Sequence, residues 1–403
     1  MSEGALSDLK VLEFGHLVSA AYCTKMMADM GAEVIKIEPP GQGDEARRRG
    51  PFARDLPGLE RSGLFSYLNT NKFGVTLNLD TARGKKIFLD LVKNSDILVE
   101  NQSPKRIEEL GLTYTELEKI NPRLIMVSIT PFGQTGPNRD YKAHELITYN
   151  ACGFGFLTTA TREEPVLKPV KAGGRQSEFG AGQAAAVAAL CAVFARDQTG
   201  EGQHIDLSIQ ELMAGQAEAT IQHWVFAENE MGGVTNAVMM PILPLECSDG
   251  WVFLMCVEDD QYDRLVVLMG NPEWAESELF ADRFLRAEYI DALAPLLTEW
   301  SLQFTKEQVF KICQEAHIPV GPSYNAKEIL ENEHLTARHY FIDIDHPEIG
   351  RAKYPAPCYR LSGTPWKIKR PAPFLGQHNQ AIYSDRLGYS KEDLMALYQA
   401  GVI

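Results

Sequence analysis

Short apolar runs alternate with helix-length amphipathic stretches through the first third of the chain. Lys10 to Phe14 (KVLEF) is an apolar run closed by Gly15. A helix-length stretch follows to Met30, then Gly31, then a second run, Glu33 to Ile37 (EVIKI). Asp96 to Val99 (DILV) and Arg123 to Ile129 (RLIMVSI) are two more. Between them the pattern predicts a helix over Thr81 to Lys93, and Thr113 with Glu116 three residues on gives a capping-box signal. Strands alternating with helices predict βαβ units and a mostly parallel sheet covered on both faces. The fold class is α/β.

Gly173 and Gly174 precede an Ala-rich helix that starts near Ser177 and stops before Gly200; a strand-like run, His204 to Ile209, follows. From about Gln222 to Asn325 the texture changes to longer loops, four tryptophans (Trp224, Trp251, Trp274, Trp300) and the turn Ser248-Asp249-Gly250. This stretch reads as a second, smaller domain. Beyond Pro319-Val320-Gly321-Pro322 comes a proline-rich tail (Pro355, Pro357, Pro365, Pro371, Pro373) suited to wrapping over the body rather than to forming a third core. The last helix carries a cap signal at Ser390 with Asp393. The expected division is 1–221 for the larger domain, 222–325 for the smaller, and 326–403 returning to the larger.

Composition narrows the function. The 403 residues include 39 Lys and Arg against 54 Asp and Glu, a net charge of -15. That balance argues against nucleic acid or an anionic membrane as partner, since both require a basic footprint. No secretory signal is visible at the start. The longest uncharged run, Phe179 to Ala195, is mostly Ala and Gly; it is read as a buried helix rather than a membrane span. Seven scattered cysteines without a Cys-x-x-Cys pair suit reduced thiols in the cytoplasm, and cysteines and histidines do not combine at metal-ligand spacing.

Strand, turn and helix at the start invite a nucleotide-binding reading, with Glu38 placed like a ribose-binding acid. Gly15 is the only glycine in the turn, so the three-glycine fingerprint is missing and a plain βαβ unit is the better account. Arg47, Arg48 and Arg49, after Gly41-Gln42-Gly43, form the one dense basic cluster. Guanidinium groups bind phosphate bidentately, so this loop either holds an anionic cofactor or is a solvated loop. Lys72 and Lys142 are lone candidates of the same kind. Glu178 falls in the first turn of the Ala-rich helix, where the helix dipole favours an ionised carboxylate by about 0.3–1 kcal/mol. Such a group can attack an activated acyl carbon; equally, acidic residues gather at helix N-termini for dipole reasons alone.

Several ordered motifs together resemble the class III CoA-transferases, the formyl-CoA transferase and carnitine CoA-transferase family. They are Met30 to Pro39 (MGAEVIKIEP) with Gly43-Asp44 and Arg47, then Asn71-Lys72, Val99-Glu100-Asn101 and Phe132 to Pro137 (FGQTGP). Thr199 to Gln203 (TGEGQ), Pro319 to Pro322 and Leu387 to Ser390 follow in the family's order. The resemblance implies a large Rossmann-like domain built from both chain ends, a smaller middle domain, and two subunits interlocked like links of a chain. It implies coenzyme A as a substrate, an acyl-CoA donor such as succinyl-CoA, a carboxylic acid acceptor, and no permanent cofactor or metal. A carboxylate attacks the thioester to give a mixed anhydride; the released CoA thiolate then forms an enzyme thioester, from which the acceptor takes CoA. Counted back from Thr199-Gly200, with Gly182 as the family glycine, the nucleophile position is Glu178. His16, Arg47, Lys72, Asn101, Lys142 and Glu145 match positions expected to bind the CoA substrate.

The departures from the family are specific. The family has Asp where this chain has Glu178, one methylene longer by about 1.5 Å, and an error near 1 Å at a reacting group costs ~100-fold in rate. The CoA-binding Asn-Phe-x-Pro-Gly segment reads Asn101-Gln102-Ser103-Pro104-Lys105. Glu109 and Pro39 stand where formyl-CoA transferase has arginines, and the loop around Gly232-Gly233 is poorer in glycine. Scaffold retained with an altered CoA site points to a heteromer in which this chain supports a homologous catalytic subunit. The alternatives are a homodimer using Glu178 as nucleophile and, more distantly, a nucleotide-dependent oxidoreductase.

Overall fold

In the computed structural model, six parallel strands form the spine of the larger of two units. They are β1 (Lys10–Phe14), β2 (Glu33–Glu38), β3 (Phe73–Thr76), β4 (Ile97–Glu100), β5 (Ile125–Thr130) and β6 (His204–Ser208). Their order across the sheet is β3-β2-β1-β4-β5-β6, with every pair parallel. All six residues of β5 are buried, as expected of strands covered on both faces. Chain order reverses between β1 and β4, so the carboxyl ends of these two strands open the crevice where α/β sheets bind ligands. The structure describes residues 4–159, 168–217, 219–228 and 240–403.

One face of the sheet packs Leu12, Leu98 and Met126 against Ile87, Phe88, Leu91, Ile107 and Leu110. The other receives two helices, α1 (Ser19–Asp29) and the longest helix in the described chain. Between them along the chain lie α2 (Gly63–Leu68), α3 (Ala82–Val92), α4 (Pro104–Leu110), α5 (Tyr114–Leu117), α6 (Glu145–Ala151) and α7 (Phe154–Thr159); the long helix, α8, is Gln176–Thr199. By length and composition α8 is apolar enough to cross a membrane. Its stripe of Ala181, Ala185, Ala189 and Ala192 is instead buried in the protein, because small side chains at helical spacing let backbone approach backbone. At Gly182 the approach is closest: an added Cβ would sit 2.8 Å from the Ser19 carbonyl oxygen of α1. Gly200 ends the helix at φ 82°, a conformation glycine adopts without strain.

Predicted and observed elements differ in instructive places. β3 escapes the sequence pattern because it has only four residues, FGVT, including a glycine. Thr113 precedes a four-residue helix but makes no side-chain cap bond, so the expected capping box does not form there. Thr81 does cap α3, its hydroxyl accepting from the Gly84 N–H, and Ser390 with Asp393 forms a full capping box on the last helix, Lys391–Gln399. The proline-rich tail contains an antiparallel hairpin, Phe341–His346 with Gly350–Pro355. It then closes over β3: the Asn379 side chain accepts from the Thr76 N–H at 2.9 Å, and the Tyr383 hydroxyl donates to the Thr76 carbonyl at 2.8 Å. An edge strand left open would expose a row of unpaired backbone groups.

The first unit comprises Met1–Cys152, Gly173–Ala217 and Ala337–Ile403, the second Gly153–Ala172 and Glu218–Thr336. The smaller unit therefore begins slightly before 222, extends past 325 and takes in a segment ahead of α8. The later boundary has a local cause: Glu328 reaches back to the buried Lys306, Nζ to Oε1 at 2.7 Å, so helix Ala326–Glu331 is bound to this unit. Its core is a three-stranded antiparallel sheet, Ile242–Cys247, Gly250–Met255 and Val320–Pro322, packed by Leu293, Leu297 and Val309. The Ser248-Asp249-Gly250 turn links its first two strands, as the sequence predicts.

Candidate functional site

The crevice between β1 and β4 is shaped by one amide side chain. Asn101, just past β4, accepts from the His16 N–H at 2.9 Å and donates to the His16 carbonyl at 2.8 Å and to Ser19 Oγ at 3.0 Å. Both ends of the His16 residue are thus clamped, while its ring stays half-exposed, 3.4 Å from Gln102 Nε2. Gly15 permits this closeness, since an added Cβ would collide with Ala20 Cβ and reach within 3.1 Å of Asn101 Oδ1. Leu17, next along, has φ 57°, unusual for leucine, and its N–H is held by Asp44 Oδ1 at 2.9 Å.

Beneath this loop runs a buried chain of ions. Asp44 meets Lys36 at 2.7 Å, Lys36 meets Glu13 at 2.7 Å, and Glu13 meets Lys72 at 2.8 Å, every side chain fully buried. Burial pushes the Glu13 carboxyl upward, but the two lysines outweigh it and hold the group at about 2. Burial pulls Lys72 down to about 8 despite its contact with Glu13.

Arg47 and Lys72, expected from sequence to face an anionic substrate, are corrected by their surroundings. The Lys72 ammonium donates to Glu13, to the Ala21 carbonyl at 2.8 Å and to Asn69 Oδ1 at 2.9 Å, which uses all three of its donors. Arg47 is also fully buried. Its five donors go to Glu38 (2.6 and 2.8 Å), Glu60 (2.6 Å), the Leu59 carbonyl (3.3 Å) and the Pro373 carbonyl (3.0 Å), and its guanidinium lies 3.7 Å from the Phe65 ring centroid. Both cations hold the fold together and present nothing to a ligand. Of the basic cluster, Arg48 and Arg49 are exposed, and Arg48 bonds the Gln42 carbonyl at 2.6 Å. Near Glu109, which is exposed, Arg106 pairs with Asp80 at 2.7 Å and Arg139 with Glu108 at 2.5 Å.

Glu178 lies in the first turn of α8, 8% exposed, with Arg175 Nη1 at 3.0 Å from each of its oxygens. The α8 N-terminus is capped from another helix. Glu145, buried in the first turn of α6, accepts the N–H groups of Ser177 and Glu178, both at 3.2 Å, together with the Ser177 hydroxyl. Burial pushes the Glu178 carboxyl up, Arg175 opposes this, and Glu145 adds to it. Lys142, three residues ahead of Glu145, is exposed. Phe179 packs edge-on against Tyr22 of α1 at 4.7 Å, and Gly182 rests on the Ser19 peptide. Through Ser19, the α8 N-terminus and the Asn101–His16 clamp share the same end of the α1–α8 pair. His16, Asn101, Glu145 and Glu178 are thus brought to one end of this unit. The loop around Gly232-Gly233 lies outside the described residues.

Two residues of the site escape the sequence reading as functional groups. Arg175, three residues before Glu178, is legible from the i,i+3 spacing. Glu100, the last residue of β4, is fully buried and pushed up to about 7, foremost by burial. Among the described residues there is no cluster of three or more His, Cys, Asp and Glu able to hold a metal.

Comparison with known proteins identifies the family. The model of the CoA-transferase family III matches residues 6–379. The chain is 34% identical over 403 residues to succinyl-CoA–D-citramalate CoA-transferase of Chloroflexus aurantiacus, covering 99% of this chain and 98% of that protein. It is 31% identical over 422 residues to formyl-CoA:oxalate CoA-transferase of Streptomyces coelicolor, covering both in full. It is also 31% identical to the alpha subunit of succinyl-CoA–L-malate CoA-transferase of Chloroflexus aurantiacus, covering 99% of this chain and 92% of that one. Among solved structures, a CaiB/BaiF family protein from Brucella suis superposes with a TM-score of 0.86 at 29% identity, covering 95% of this chain and all of that one.

Proposed function

Because the chain belongs to the CoA-transferase family III and CoA thioesters are its substrates, we propose that it is the supporting subunit of a heteromeric transferase. In that assembly a homologous sister chain carries the nucleophile, and CoA passes from an acyl-CoA such as succinyl-CoA to a carboxylic acid. One observation carries this reading: Glu178, at the nucleophile position, has both oxygens held by Arg175 and is 8% exposed. A carboxylate engaged in this way is a poor nucleophile, because its lone pairs already face a cation. The internal use of Arg47 and Lys72 supports the same reading, for it withdraws two of the cations expected to face CoA. A relative named as an alpha subunit matches along the whole chain. The outward side of α8, with Val187 61% and Phe194 70% exposed, suits burial against a second, interlocking chain. Seven free cysteines suit the reducing cytoplasm.

A second reading is favoured by the position of the same carboxylate. Glu178 sits at a helix N-terminus beside the clamped His16 turn. In a homodimer, with Arg175 swung aside, its oxygen would attack the thioester carbon, the C–S bond would break, and CoA would leave as thiolate. Purification from the native host with a tag on this chain separates the two. An equal amount of a similar-sized second chain, with transfer surviving Glu178→Ala, supports the first reading; an active homodimer abolished by that substitution overturns it.

A further inference from the structure

Glu100 ends β4 with its side chain among apolar groups. In the sheet register it stands beside Phe14 of β1 and Ser128 of β5, and Ser128 stands beside Asp206 of β6. Side chains alternate along a strand, so Glu100 shares its face with Leu98, which belongs to the sheet's main apolar core. Its Oε2 accepts the Gln102 N–H at 2.7 Å, whereas its buried Oε1 has no hydrogen-bond partner. The titratable groups around it are Asp206, which accepts from the Gln134 N–H, and His204, whose ring stacks on Tyr114 at 5.6 Å. Burial holds His204 below its usual range, in the neutral form. The groups that act on Glu100 are thus Ser128, the Gln102 N–H and Asp206, with no cation among them.

An ionised carboxylate here would leave one buried oxygen with neither a donor nor a cation beside it. Protonation removes the buried charge while Oε2 keeps the Gln102 N–H. The neighbouring Ser128 hydroxyl lies 2.9 Å from His204 Nε2, so it is already engaged on the far side of the strand pair. We propose that Glu100 is a positioning residue that stands as a neutral carboxylic acid and so fixes the turn that holds Asn101 and Gln102 against His16. The coupling to the turn is direct: Oε2 of the same group anchors the Gln102 N–H, Gln102 Nε2 lies 3.4 Å from the His16 ring, and the intervening Asn101 is the His16 clamp. Only the identification of that turn as CoA-facing rests on the proposed function; the protonation does not.

The test uses the full chain. Infrared spectra at pH 6 are expected to show a protonated-carboxyl C=O band that is absent from Glu100→Gln and disappears from the wild type with a midpoint near pH 7. The Asn101 side-chain amide NMR signal, assigned by its loss in Asn101→Asp, should move with the same midpoint. In Glu100→Gln, a neutral isostere, it should stay at its low-pH position throughout. Ser128→Ala should shift the midpoint upward, since the Ser128 hydroxyl favours the ionised form. Absence of the band at pH 6 overturns the proposal, and so does a band accompanied by a pH-independent Asn101 signal. If both spectra behave as expected while CoA affinity of the assembled enzyme is the same at pH 6 and pH 8, the reading of the turn as a CoA site fails and the proton assignment stands.

Discussion

Replacing Arg47 with methionine separates a cation that builds the fold from one that meets substrate. The guanidinium is fully buried and engages two carboxylates, Glu38 and Glu60, through three bonds of 2.6–2.8 Å. It also bonds two backbone carbonyls, one of them Pro373 in the returning tail, 326 residues away. Methionine preserves much of the volume and the packing on Phe65 but leaves Glu38 buried without its partner. Removing one member of a buried pair costs about 3–5 kcal/mol. For a domain of this size each kcal/mol shifts Tm by about 2–4 °C, so a fall of roughly 10 °C is expected, read by differential scanning calorimetry at pH 7. At a temperature where the variant remains folded, the KM of the assembled enzyme for acyl-CoA should change less than about twofold. Lys142→Ala should give the converse, an unchanged Tm with a weaker KM, since Lys142 is exposed near the Glu145–Glu178 cluster. An Arg47→Met variant with unaltered Tm and a KM raised tenfold would refute the reasoning and return Arg47 to the substrate.

Three further outcomes follow from other parts of the site. Glu100 has its folded-state pKa raised from 4.5 to about 7, so the native protein holds the extra proton between these values and its stability falls as pH rises through that window. The loss amounts to about 3 kcal/mol; chemical denaturation of Glu100→Gln from pH 5 to pH 8 should lack the slope, and a variant less stable than wild type at pH 8 would count against it. Glu145→Ala removes the cap from α8 and leaves the Ser177 and Glu178 N–H groups bare; a loss of about 1–2 kcal/mol is expected, with faster hydrogen exchange in the first turn of α8 as the diagnostic. Gly182→Val must displace the Ser19 carbonyl, 2.8 Å from the new Cβ. Because Ser19 bonds Asn101, this variant should lower CoA affinity as well as Tm, and an effect on Tm alone would break the claimed link between α8 and the His16 clamp.

How much of this is legible in the sequence depends on whether the deciding contacts are local. β1 is readable to the residue, and α8 within a residue at either end, because hydrophobic spacing and the Gly200 stop are local signals. The cap at Ser390 belongs to the same class. β3 and the hairpin Phe341–His346 with Gly350–Pro355 escape the pattern because short or half-polar strands are defined by what they pair with. The same division runs through the site. Asn101 and Glu145 are recognised by resemblance, but the bonds that show what they do, to His16 and to Ser177, span 85 and 32 positions. Arg47 and Lys72 are cations in the sequence whatever they face; only the folded chain shows every donor already engaged. Glu100 lies one residue beyond the predicted strand Asp96 to Val99, and only the register sets it between Phe14 and Ser128.

Acyl trapping tests the central claim most directly. The purified assembly is incubated with its acyl-CoA donor, treated with hydroxylamine to convert an enzyme-bound anhydride or thioester into a hydroxamate, digested, and analysed by mass spectrometry. The account predicts the hydroxamate on an aspartate of the sister chain and an unmodified Glu178, including in an Arg175→Met variant that preserves the assembly. A hydroxamate on Glu178 of the wild-type chain would contradict the supporting role and make this residue the nucleophile.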